Sequence, residues 1–172
     1  LVKMSQQNPF YNLFETPFQT VPFDLIKNDH FLPAIKQGII HARIEINAIK
    51  KCLDPPSFEN TIVALEESGT LLDKVSKTLY NLNSSETSDA LQKIAQEVSP
   101  LLTSFNNEIK LDKKLFERIK FVYDANDLLS GEENMLLEKT YKSFVRNGAG
   151  LDSKSQDRFK EVTVELSSLG LK

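Results

Sequence analysis

The stretch FVRNGAGLDSKS, residues 144–155, is the first place where this sequence could do chemistry. Arg146 and two glycines, Gly148 and Gly150, follow an apolar run and precede a helix-start signal. A glycine-rich turn ahead of a helix can cradle a phosphate on exposed backbone N–H groups. A phosphate site needs more converging donors than these. Asn147-Gly148 also stands where a helix C-cap calls for a left-handed residue. The stretch therefore reads as a helix-to-helix connector, with Gly148 at positive φ. Arg146 is expected to meet a carboxylate or helix-end carbonyls rather than a ligand.

Zinc hydrolysis on a helix needs two imidazoles at i and i+4 with a carboxylate base between them, the H-E-x-x-H pattern. This chain holds only His30 and His41, eleven residues apart. His41 and Glu45 share the i, i+4 spacing, which predicts a surface hydrogen bond, and His30 reads as structural. The pairs Glu66-Glu67 and Glu132-Glu133 fall on polar faces or in a first helical turn, where negative charge complements the helix dipole. Serine nucleophile elbows and Walker loops are absent. Cys52 is the single cysteine, so no internal disulfide forms. Lys50 and Lys51 beside it could favour the thiolate; a half-buried small apolar residue is the simpler reading. No catalytic, cofactor-binding or metal-binding residue is assigned in this chain.

The elements that would position these residues are helical. Across 172 residues, 40% are hydrophobic and 26% charged, the balance of a globular domain. A chain of this length buries roughly 70% of its unfolded surface and needs no staples. One domain is expected. The net charge of −3 argues against a nucleic-acid partner. The densest basic patch, Lys110, Lys113, Lys114, Arg118 and Lys120, alternates with Glu108, Asp112 and Glu117 and reads as a solvated helix face. No apolar run approaches the roughly 18 residues of a membrane span. The chain begins with Leu rather than Met, so the reading is that the natural start was trimmed, and a signal peptide would then be invisible.

Residues 1–28, with Pro9, Pro17 and Pro22 among Phe10, Tyr11, Phe14, Phe18 and Phe23, predict an extended arm lying on an apolar surface. A first helix starts at Asn28 or Asp29, buries Ile35, Ile39, Ala42, Ile46 and Ile49, and stops at Asp54-Pro55-Pro56. A second, capped by Ser57, carries the stripe Phe58, Ile62, Leu65, Gly69, Leu72, Val75, Leu79 and Leu82. Gly69 inside it suggests close approach of another helix. Asn83-Ser84-Ser85 ends it. A third begins at Thr87 or Ser88 and is kinked or divided by Pro100. Its inward residues are Leu91, Ile94, Val98, Leu101, Phe105 and Ile109. Asp112 opens a fourth, and Ser130 to Glu133 have capping-box spacing for a fifth. Ser153 to Gln156 repeat that spacing for a sixth, with Phe159, Val162, Leu166 and Leu169 as its stripe. Breaks are expected near 54–57, 83–88, 110–113, 127–131 and 147–153. The fold class is all-α: about six antiparallel helices in a bundle-like domain, 29–172, with an aromatic, Pro-rich N-terminal arm, 1–28.

Three long stretches stand in order: PFDLIKNDHFLPAI (22–35), PPSFENTIVALEESGTLLDKV (55–75) and FVRNGAGL (144–151). EINAI (45–49) and IKLDKKLFERIK (109–120) lie between them. Together they resemble the N-terminal helical region of the thimet oligopeptidase family of zinc metallopeptidases. The second stretch looks nearest to the dipeptidyl carboxypeptidase (peptidyl-dipeptidase) branch, with the oligopeptidase A branch next. The resemblance covers roughly residues 22–172. It implies a longer parent peptidase whose H-E-x-x-H helix and third ligand, a downstream glutamate, lie outside this segment. Zinc is thus implied for the parent and not for this segment, which is expected to be inactive alone. In the family two helical halves flank a deep channel, and the N-terminal helices build one wall. The implied partners are short peptide substrates and the C-terminal catalytic half, with no nucleic acid and no membrane. The implied location is cytoplasmic, or periplasmic if a signal peptide was removed. A self-sufficient helical interaction module fits composition and periodicity equally well; only the family motifs favour the peptidase.

Overall fold

Helical periodicity and capping residues translate directly into the architecture. The computed structural model describes residues 8–125 and 129–170. Part of the expected break at 127–131, and the first seven residues of the arm, lie outside the described residues. Six long helices run α1 (Asn28–Lys51), α3 (Thr70–Ser85), α4 (Asp89–Lys110), α5 (Lys113–Ala125), α6 (Gly131–Arg146) and α7 (Ser153–Leu169). A π-helical turn, Phe58–Val63, runs into the one-turn helix α2 (Ala64–Glu66). Two 3-10 turns, Pro9–Tyr11 and Pro17–Gln19, punctuate the arm. No strand occurs among the described residues. The all-α reading holds.

Caps account for most boundaries. Ser57 and Asn60 form a reciprocal capping box, as do Ser130 and Glu133. Ser88 Oγ accepts from Leu91 N, and Asp112 Oδ1 accepts from Leu115 N. The last helix starts one residue earlier than expected, because Asp152 rather than Ser153 accepts from Ser155 N. The run Asn83-Ser84-Ser85 forms the last turn of α3, which ends at Ser85 as expected. Ser84 and Ser85 bond back to the carbonyls of Tyr80 and Asn81, so the hydroxyls stay satisfied inside the helix. Pro100 does not divide α4, which runs through it.

The expected second helix is two elements. Gly69 takes φ 75° and separates α2 from α3. A Cβ there would meet only Ala42 Cβ at 3.5 Å, ordinary contact. The close approach belongs instead to Gly38 on α1, where a Cβ would lie 2.9 Å from Leu72 Cα.

The chain forms two compact units, one from residues up to 43 with Gly69–Ser99, the other from Ile44–Ser68 with Pro100–Gly170. In the first, Phe31, Ala34 and Ile35 of α1 are buried, as are Val75 and Leu79 of α3 and Leu91, Ala95 and Val98 of α4. The arm enters this core: Phe10 is fully buried, 5.4 Å from the Phe31 ring and 6.3 Å from Phe14. Phe18, at φ 58°, is fully exposed. In the second unit α5 and α6 pack on each other and on the π turn. Leu115, Ile119, Leu137 and Phe144 are buried there, and Tyr141 stacks between Tyr123 and Phe116 at 4.0 and 5.8 Å.

Candidate functional site

Candidate chemistry is distributed between the two units, and each unit can be built from its own side chains. In the first, the arm, α1 and α3 enclose an open groove of about 590 Å³. Phe10 and Leu71 supply apolar wall; Gln37, His41 and Lys74 are among its polar residues, with Asn12 and Thr70. Lys74 is held across the groove. Its ammonium donates to Asn12 O at 3.1 Å and sits 4.5 Å from the Phe14 ring centroid. Burial pushes its pKa below the ordinary lysine value. His41 Nε2 lies 2.8 Å from Gln37 Nε2, one turn before it on α1. His30 is structural: its Nδ1 accepts from Lys27 N at 3.1 Å, and its carbonyl accepts from Asn8. No carboxylate lines the groove. It offers shape and one desolvated cation, with no nucleophile–base pair.

In the second unit the basic patch departs from its expected solvated face. Lys113 and Lys114 are exposed, and Lys120 pairs with Asp124. Arg118 instead reaches into the connector after α1. Nη1 donates to Cys52 O at 3.1 Å and Nη2 to Asn60 Oδ1 at 2.9 Å, while Nε is buried with no hydrogen-bond partner. Asn60 is the hub: its Oδ1 also accepts from Ser57 N, and its Nδ2 donates to Pro55 O. The signal for this clamp lies in Pro55-Pro56. Two prolines bring carbonyls but no N–H groups, so the connector's acceptors need donors from elsewhere. Lys110 is also drawn inward, 4.3 Å over the Phe144 ring. Burial lowers its pKa, partly offset by the negative charge of Glu66. Glu67 serves as the C-cap position of α2. Glu132 and Glu133 stand in the first turn of α6, and hydrogen bonds to Ser130 hold the Glu133 carboxyl below the usual range. Cys52 is half-buried just past α1.

The 144–155 stretch is a helix terminus. Asn147 is the C-cap of α6, and Gly148 takes φ 87°. Ala149 N donates to Phe144 O and Gly148 N to Val145 O, both at 3.1 Å, the paired bonds of a Schellman motif. These N–H groups are spent on the helix end and are not offered to an anion. Arg146 is exposed in the last turn of α6, where its charge complements the dipole.

Zinc needs several converging ligands. Among the described residues, no group of three or more His, Cys, Asp and Glu side chains is placed to hold a metal. Both histidines already have partners. These residues do not fit a zinc centre. No helix among the described residues is long and apolar enough to cross a membrane.

The arrangement is all-helical, and over almost its whole length the chain is homologous to bacterial peptidases. It is 33% identical over 164 residues to dipeptidyl carboxypeptidase of Salmonella typhimurium, covering 94% of this chain and 24% of that protein. Against dipeptidyl carboxypeptidase of Escherichia coli it is 33% identical over 168 residues, 96% of this chain and 25% of that protein. Oligopeptidase A of Salmonella typhimurium follows at 25% identity over 165 residues, 95% of this chain and 24% of that protein. The two names and their order are those the motifs suggested. The chain spans about a quarter of the length of the curated relatives it matches. No family profile matches it.

Proposed function

We propose that this chain is the N-terminal helical part of a zinc metallopeptidase of dipeptidyl carboxypeptidase or oligopeptidase type, acting on short peptides. Its helices form one wall of a substrate channel and supply no catalytic group. The observation that carries this reading is the match along 94–96% of the chain to peptidases of which it spans only 24–25%. The side chains are in keeping with it. Lys74, Arg118, Asn60 and the two histidines make structural hydrogen bonds rather than converging on a reacting atom. A wall of packed helices would select by shape, admitting extended peptides and excluding folded domains. A cytoplasmic location belongs to the same proposal, and cell fractionation tests it.

The test is the complete gene product assayed on N-terminally blocked short peptides and on a folded protein. Release of dipeptides from free C-termini, abolished by a chelator and restored by zinc, is expected. A gene product that ends near Lys172, or one without peptidase activity, overturns the reading in favour of a self-sufficient interaction module.

A further inference from the structure

Helix α7 is seated on a mixed side and leaves most of its apolar stripe outside. At 3.6 residues per turn, Val162, Leu166 and Leu169 share one face, and they are 44%, 67% and 53% exposed. Of the inward stripe expected from the sequence, Phe159 is half-buried and these three are not. The face turned to its own unit carries the half-buried Gln156, Phe159, Thr163 and Val164. Asn107 Nδ2 of α4 donates to Thr163 Oγ1 at 2.7 Å, and Gln156, Lys160 and Val164 line a space of about 370 Å³ beside it. No residue of α7 is fully buried. A helix of a finished globular protein turns its apolar stripe to the core; this one leaves Val162, Leu166 and Leu169 of the stripe to solvent. The flanking charges are matched within the helix, Arg158 to Glu161 at 2.9 Å and Lys160 to Asp157 at 3.1 Å. The face formed by Val162, Leu166 and Leu169 is itself apolar, so the complementary surface is apolar as well.

We propose that the Val162–Leu166–Leu169 face of α7 is the docking surface for the remainder of the parent polypeptide. The inference rests on the peptidase reading, and the occupant follows from length: about three quarters of each relative lies outside the matched segment. A continuing chain is tethered to α7 and reaches this face at high effective concentration, which a second copy does not.

Hydroxyl-radical footprinting of the complete gene product, compared with the 172-residue chain, is the test. Leu166 and Leu169 are expected to be labelled several-fold less in the complete product. Leu166→Lys should lower the melting temperature of the complete product while leaving that of the 172-residue chain unchanged. Equal labelling in a product that is an active peptidase overturns the docking inference and leaves the function standing. Protection that vanishes on dilution assigns the face to a second copy and overturns it too. A product with no further polypeptide defeats both readings, and its length alone identifies that case.

Discussion

Gly38 and Gly148 are needed for different physical reasons, and alanine at each separates them. At Gly38 a Cβ would strike the Leu72 backbone, Cα at 2.9 Å and N at 3.0 Å, so α1 and α3 must move apart. Gly38→Ala should cost about 2 kcal/mol, within the usual range for overpacking. At Gly148 the neighbour is Leu151 Cδ1, the flexible end of a side chain, at 2.8 Å, and the main penalty is φ 87°. Gly148→Ala should cost on the order of 1 kcal/mol. Urea denaturation of the two variants checks both values; equal costs would contradict the distinction. Lys110 yields a prediction of sign. Burial lowers its folded pKa below 10.5 more than Glu66 restores it. The unfolded chain therefore binds more protons between the folded and unfolded pKa values, and stability rises with pH through that window. Lys110→Met should raise the melting temperature at pH 7, with the gain shrinking as pH climbs toward 10.5. A fall at pH 7 would mean that the cation over Phe144 outweighs its desolvation.

Among the elements, α6 starts on a capping box whose carboxyl is held below its ordinary pKa. Ser130→Ala removes the acceptor for Glu133 N and should cost about 1 kcal/mol. The Glu133 carboxyl is held low by its bonds to Ser130, so its contribution is present above the unfolded value of 4.5 and is lost as pH falls through the lower folded value. Glu133→Gln should flatten that acid limb in a pH series of melting temperatures. Caps of this kind were legible because a capping box is a four-residue pattern with its own chemistry. The stripe of α1 was legible too: Ile35, Ile39, Ala42, Ile46 and Ile49 are all buried. Gly69 was misread because the apolar phase resumes after a one-residue left-handed break, and periodicity cannot register the interruption. The face of α7 was misread because a stripe says which side of a helix is apolar, not whether its own unit covers that side. Arg118 looked like one more surface charge. Its role depends on carbonyls 66 residues away in sequence, at Cys52, that only the fold brings near.

For the molecule as a whole, the question is whether 172 residues of peptidase homologue do anything a peptidase does. Metal-assisted hydrolysis needs a site with several protein ligands and an open position. Of the two imidazoles, one is fixed by Lys27 N and the other lies against Gln37, eleven residues apart along α1. Recruiting both would break the start of α1 and still leave the metal short of ligands. The 172-residue chain, dialysed after exposure to zinc, should therefore retain far less than one equivalent and release no dipeptide from blocked short peptides. Elemental analysis and a chromatographic peptide assay measure the two quantities independently. Stoichiometric zinc lost on His30→Ala or His41→Ala would show a site that this geometry does not contain. Peptide cleavage by the chain alone, surviving chelation, would move the catalytic groups into the segment and end its reading as a wall.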